Sequence, residues 1–188
     1  MITPKLLFQM AKACSIADEP HVSIVTHEDG SRYAVWRLGV ALLPSTVLAD
    51  TSDGTWRIYA NGSIEGRSDR VSDVHVRERI LPLLDRPVRV PITETPWLCE
   101  AGSRLNRLVK RNDGHAVVVD NALWSPWQEA SRLPVWQAGG VISPLLWAPD
   151  GGGRAEGLLM PIRLGEVMQV PGVYQDAVAN ALEVARVR

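Results

Sequence analysis

The side chains best suited to acid–base chemistry stand together in His27-Glu28-Asp29, and a similar group is formed by Asp18, Glu19 and His21. A histidine beside carboxylates can hold or pass a proton near neutral pH. The first group falls in a predicted turn, and the second sits at a predicted helix end. Cys14 and Cys99 are the only cysteines, so the chain carries no paired-cysteine zinc motif. It also lacks a Gly-rich phosphate loop, a nucleophile elbow and a His-Glu-x-x-His segment. Gly151-Gly152-Gly153 has no strand–loop–helix context and reads better as a hairpin tip. These residues point to a protein that is not an enzyme and that holds no metal and no cofactor.

A second kind of chemistry is offered by Arg104, Arg107, Lys110 and Arg111. Thr95-Pro96 reads as a helix start, and the helix is expected to run to about Arg111. The four cations would then share one helical face, with Leu98, Leu105, Leu108 and Val109 toward the core. Such a face can meet nucleic-acid phosphates without reading sequence. Lys5 and Lys12 lie on one side of a predicted N-terminal helix and would extend the patch, and Arg132 can join it. The plainer alternative is a solvated charged surface.

The third stretch is Gly139 to Leu164, GGVISPLLWAPDGGGRAEGLLMPIRL. Two aliphatic runs flank Pro149-Asp150-Gly151-Gly152-Gly153, which supplies the positive-φ positions a hairpin needs. Pro161 cannot donate a ladder hydrogen bond, so its strand is expected at a sheet edge, or leaving the sheet there. Met160 and Ile162 would then be free to line a groove, and methionine suits a surface that accepts several partners. The alternative is an edge hairpin whose Met160 and Ile162 pack under a C-terminal helix.

This stretch resembles the C-terminus of the bacterial sliding clamp, the β subunit of the replicative DNA polymerase. Ser143-Pro144-Leu145-Leu146 matches the first part of the family's ending, and Met160-Pro161-Ile162-Arg163-Leu164 matches the second, at similar spacing. The resemblance covers about 25 residues. It implies a groove at Val141, Ser143, Leu158, Met160, Pro161, Ile162, Arg163 and Leu164 that takes short peptides from polymerases or the clamp loader. It also implies helices facing DNA, here through Lys5, Lys12, Arg104, Arg107, Lys110 and Arg111. The chain departs from the family in carrying a tail beyond Leu164.

Composition sets the limits. The chain has 188 residues, 46% hydrophobic and 22% charged, with net charge -1. Folding at this size buries roughly 70% of the unfolded surface. No global basic excess advertises nucleic acid, so DNA contact must be local. No apolar run approaches the roughly 20 residues of a membrane span. The cysteines read as two reduced thiols in helical, apolar settings, and a cytoplasmic location is expected.

These residues must be positioned by predicted elements. Thr3 caps a helix with Pro4 in its first turn. His21 to Thr26, Arg32 to Leu38 and Val40 to Leu43 read as strands, as do Thr55 to Ala60, Arg86 to Ile92 and His115 to Val119. Ser72 caps a short helix reaching Leu84. Asp120 or Asn121 starts a helix with Leu123, Trp127 and Ala130 inward. Pro134 to Ala138 and the closing hairpin follow. Trp124, Trp127, Trp136 and Trp147 read as core. Residues 173–188 show a helical apolar stripe of Val173, Ala177, Val178, Ala181, Leu182 and Ala185.

The expected fold is α+β and DNA-clamp-like, with helices on one side of antiparallel sheet. Residues 1–164 would form the clamp-like region, with 45–114 an insertion or extra half-domain, and 165–188 a helical tail. The expected function is that of a small sliding-clamp-like replication accessory, of the kind a phage or mobile element carries. It would bind DNA non-specifically and partner peptides in its groove, as a homo-oligomer if it forms a ring. The alternative is a clamp-fold adaptor or mimic that forms no ring and does not bind DNA.

Overall fold

The computed structural model describes residues 2–15, 19–68, 75–87, 89–101, 104–112, 116–139, 143–150 and 153–162, with the backbone alone at 67, 68, 97, 99–101, 104 and 116. Helix α1 spans Pro4–Cys14, and the Thr3 hydroxyl accepts from the Leu6 N–H at 3.2 Å. Its apolar residues fall at helical spacing, so Leu6, Leu7, Met10, Ala11 and Cys14 are buried. Three antiparallel strands follow: β1 (His21–Thr26), β2 (Arg32–Trp36) and β3 (Gly39–Leu42). Strands β4 (Gly54–Ile58) and β5 (Ile64–Ser68) extend this half, β4 pairing with β1. Asn61-Gly62 makes the tight turn between them, with Gly62 at φ +82°.

The second half contains β6 (Val90–Ala101), β7 (Arg104–Arg111), β8 (Ala116–Asp120), α2 (Asn121–Ala130), β9 (Val135–Gln137), β10 (Leu145–Trp147) and β11 (Gly157–Leu159). The Asp120 carboxylate caps α2 by accepting from the Ala122 N–H at 2.9 Å. Leu123, Trp124 and Trp127 are buried beneath it.

All the strands join one 11-stranded sheet in the order β5-β4-β1-β2-β3-β11-β10-β9-β6-β7-β8. The fold is therefore α+β with a large antiparallel sheet. Its centre is a mirrored pattern. A helix and three antiparallel strands occur twice, as α1-β1-β2-β3 and α2-β9-β10-β11, and the third strands of the two sets pair antiparallel, Val40 opposite Leu158. Both helices lie on one face against a core containing Leu7, Met10, Ile24, Trp36, Trp124, Trp127 and Trp147. On the other face Val25, Tyr33, Val35, Leu146 and Leu158 pack against Val76, Leu81 and Leu84. The last three residues come from a π-turn at Val76–Ile80 and a 3₁₀ turn at Leu81–Asp85, where the sequence suggested an ordinary helix.

One expectation is overturned. The described residues of this stretch, 95–101 and 104–111, form no helix: they belong to β6 and β7, paired from Ile92↔Arg111 to Ala101↔Arg104. Pro96 lies where the β6–β7 register shifts, between Glu94 and Leu98, and a bulge is where a strand tolerates proline. Pairing of β7 with both neighbours overrides its helical pattern of cations and leucines. Cys99 is accordingly in a strand, whereas Cys14 is a free, buried helical thiol. Of the two outcomes expected at Pro161, the sheet edge is not the one found, because β11 lies between β3 and β10 and the chain leaves the sheet after Leu159.

Candidate interaction surfaces

The chain leaves the sheet at Met160, the outcome that Pro161 requires once β11 is central. The Met160 N–H donates to the Leu38 carbonyl at 2.8 Å, and the Ile162 N–H donates to the Val118 carbonyl at 2.9 Å. Met160-Pro161-Ile162 thus bridges the β2–β3 turn and the outer strand β8. All three residues are half-buried, and Met160 packs against the core on the face opposite the helices. They form a short apolar ridge with a polarisable, adaptable side chain at its start. Leu158 does not share it: it is buried in the central pairing, a correction to its place in the expected groove. Ser143 is half-buried, and its carbonyl accepts from Gln137 Nε2 at 2.8 Å. Val141, Arg163 and Leu164 lie outside the described residues. A separate cavity of about 400 Å³ opens between the end of α2 and β3, walled by Ile2, Leu43, Trp127, Leu133 and Trp147. Met160, Pro161 and Ile162 do not line it.

The basic residues do not form one face. In β7, Arg107 and Arg111 alternate with Lys110, as strand geometry demands. Arg107 Nε donates to Asn121 Oδ1 at 2.9 Å, and its Nη1 meets Glu94 Oε1 at 2.5 Å. Arg111 is buried, with Nη1 donating to Gln137 Oε1 at 2.8 Å and to the Gly139 carbonyl at 2.6 Å. Both guanidiniums tie β7 to neighbouring elements. Lys110 is half-buried, and the Arg104 side chain lies outside the described residues. Lys5 and Lys12 of α1 are exposed, and so is Arg132 beyond α2. A cleft between the two helices runs past Gln9, Lys12, Asn121, Ser125 and Glu129, so the helix-pair surface carries an acid among its bases.

The titratable turn has a partner that the sequence did not suggest. Arg154 Nη1 lies 3.2 Å from His27 Nδ1 and 3.2 Å from Asp29 Oδ2, and its Nε lies 3.4 Å from Asp85 Oδ1. Its guanidinium stands over the Tyr33 ring at 5.4 Å from the centroid. Since arginine can only donate, His27 Nδ1 accepts in this arrangement. Bonds from the Ser31 backbone and side chain hold the Asp29 carboxyl below its ordinary range. Burial raises the Tyr33 phenol. The result is a network joining the β1–β2 turn, the 3₁₀ turn and the β10–β11 connection. Among the described residues, no three His, Cys, Asp or Glu side chains converge as a metal site.

Two further anchors escaped sequence reasoning. Asp53 accepts from the Thr26 N–H and hydroxyl at 2.9 and 2.7 Å and from Arg77 at 2.8 Å. Burial alone would raise its carboxyl, but these donors overcome that and hold it below the usual range. Arg32 donates to the Leu48 and Thr51 carbonyls at 2.7 and 2.5 Å, fastening the loop before β4. Nothing in the spacing of these residues signals contacts across 24 or 19 positions.

No protein family matches the chain, and no curated protein and no solved structure is significantly similar to it. Among the described residues, no helix is long and apolar enough to cross a membrane.

Proposed function

We propose that this chain is a non-catalytic, clamp-like binding protein, an accessory of DNA replication that captures short apolar peptides on the Met160-Pro161-Ile162 ridge. The observation that carries the reading is the mirrored centre of the sheet. Two helix-plus-three-strand sets meet at β3 and β11, with α1 and α2 on one face. This is the arrangement expected of a clamp domain built from two half-domains, and the sequence resemblance falls in the second half. DNA contact in this reading is made by Lys5 and Lys12 on the outer side of α1.

A second reading, the clamp-fold adaptor without DNA binding, is favoured by one specific observation. Arg107 and Arg111, half of the expected cationic face, are engaged in internal contacts with Glu94, Asn121, Gln137 and Gly139.

The peptide reading is tested by fluorescence anisotropy on the full chain with a labelled Gln-Leu-x-Leu-Phe peptide. Saturable binding that Met160→Ala weakens roughly tenfold is expected, because losing much of a buried apolar contact costs about 1.4 kcal/mol. Absence of binding to the folded full chain would overturn it.

A further inference from the structure

The cavity of about 400 Å³ where α2 ends against β3 and β11 has no role in the peptide reading. Half-buried Leu42, Pro44, Ala130 and Leu133 give it apolar walls, and the buried Trp127 and Trp147 lie behind them. Its volume falls near the lower end of the roughly 300–1,000 Å³ typical of small-molecule sites.

Two opposite charges stand on its rim. Arg132 comes from the segment after α2 and Glu156 from the residue before β11, and both are exposed. Among the described residues, neither side chain has a hydrogen-bond or ion-pair partner, and the two do not pair with each other. Their backbones are held in place. The Glu156 N–H donates to the Trp147 carbonyl at 2.8 Å, and the Glu156 carbonyl accepts from the Leu42 N–H at 2.6 Å. The Ser131 N–H donates to the Trp127 carbonyl at 3.1 Å, and the Ser131 hydroxyl accepts from the Leu133 N–H at 3.2 Å, fixing the chain on both sides of Arg132. The last turn of α2 carries no basic residue, so the carbonyl end of the helix adds negative potential beside the cavity. A small hydrocarbon would leave both rim charges unanswered, and a simple amine or acid would leave one. Complementarity to all three features asks for an apolar body of limited size that carries both an ammonium and a carboxylate.

We propose that this cavity binds a zwitterionic, apolar α-amino acid, with its side chain between Leu42 and Leu133, its carboxylate toward Arg132 and its ammonium toward Glu156. The site is separate from the Met160-Pro161-Ile162 ridge and stands whether or not the ridge takes peptides.

Amide NMR titration of the full chain with L-phenylalanine tests the site. Saturable shifts are expected, centred on the amides of Leu42, Leu133 and Gly157. Arg132→Gln and Glu156→Gln should each weaken binding about threefold to fivefold, the range open to exposed ion pairs, and both should leave the fold intact because both side chains are exposed. Two truncated ligands assign the charges. Phenylpropanoate, which lacks the ammonium, should bind more weakly and be indifferent to Glu156→Gln. Phenethylamine, which lacks the carboxylate, should be indifferent to Arg132→Gln. No saturable shift in the folded parent chain, or shifts centred away from the cavity, would overturn the proposal. So would L-phenylalanine affinity that falls in only one of the two charge variants, or in neither.

Discussion

Trp127 of α2 lies across Gly39 of β3, so close that a Cβ built on Gly39 would overlap the indole Cζ2 and Cη2 carbons. The same ring donates from Nε1 to the Val40 carbonyl at 3.3 Å and stands edge-on to Trp36, with centroids 5.4 Å apart. Gly157, paired with Ala41 next to this spot, is also shielded by Trp127. The helix is thus keyed into the seam where the two mirrored halves meet.

Gly39→Ala is therefore expected to destabilise the fold by about 2–3 kcal/mol, since an inserted methyl in a closed core forces neighbours off their rotamers. Gly30→Ala offers a contrast, because its cost comes from positive φ alone, with nothing within 4 Å of a Cβ there. Urea unfolding checks the pair. A loss at Gly39 below about 1 kcal/mol would mean that Trp127 sets no steric cost there.

Much of this arrangement was legible in the sequence. Helix α1 follows from Thr3, Pro4 and the spacing of Leu6, Leu7 and Met10, and α2 from Asp120 with Leu123 and Trp127. Strands β1 to β3 follow from alternation and from the turn at Glu28-Asp29-Gly30. The failure at 95–111 has a physical cause. Leu98, Leu105, Leu108 and Val109 can be placed on a helix or on two strands, and only long-range pairing with β8 and β9 decides. The ridge was half legible, because Pro161 required departure from the ladder but could not say whether β11 was central. The contacts of Arg154, Asp53 and Arg111 were invisible because their partners are distant in sequence and no local pattern encodes them.

Asp53 should make stability fall in acid. Its carboxyl is held below the ordinary value by Thr26 and Arg77, against burial. A depressed native pKa contributes stability above the unfolded value of about 3.9, and that contribution is lost as pH falls through the lower native value. Asp53→Asn should cost about 1–2 kcal/mol at pH 7 and flatten the acid limb below about pH 4. Thermal unfolding between about pH 2 and 7 measures both effects, and parallel pH profiles for the two proteins would exclude a role for this carboxylate.

Cys14 is expected to be inert in the folded chain. Burial pushes its thiol up to about 12, opposed by a backbone bond at Leu38 and reinforced by Asp120. Only the thiolate reacts, so in a Cys99→Ser background labelling at about pH 8 should run about a thousandfold slower than in the unfolded chain. Because the folded value is raised, stability holds below the unfolded value of about 8.5 and declines as pH rises from there toward the folded one. Rapid stoichiometric labelling of the native protein would contradict the burial.

Arg111 is a structural cation. Removing it takes this donor from the buried Gln137 side chain, while the exposed Gly139 carbonyl can turn to water, so Arg111→Met should lower stability by about 1–3 kcal/mol. Chemical denaturation reads the loss. An unchanged midpoint would show that the Gln137 and Gly139 acceptors find other donors.

The DNA question divides along the same line between structural and free charge. If α1 faces DNA, Lys5→Glu with Lys12→Glu should abolish retention at low salt and leave the melting temperature within a degree or two, because neither side chain is in the core. Each phosphate contact contributes about one unit to the slope of log affinity against log salt, so the slope in the parent chain should be near about 2 if only these lysines engage. Arg107→Glu should instead lower the melting temperature by several degrees, since it severs the links to Glu94 and Asn121 across β6, β7 and α2. Electrophoretic mobility shifts beside thermal melts separate these effects. DNA retention abolished in Arg107→Glu without a change in melting would restore the cationic strand as a phosphate surface. Retention absent in the parent chain at every salt concentration would leave the adaptor that holds peptides without touching DNA.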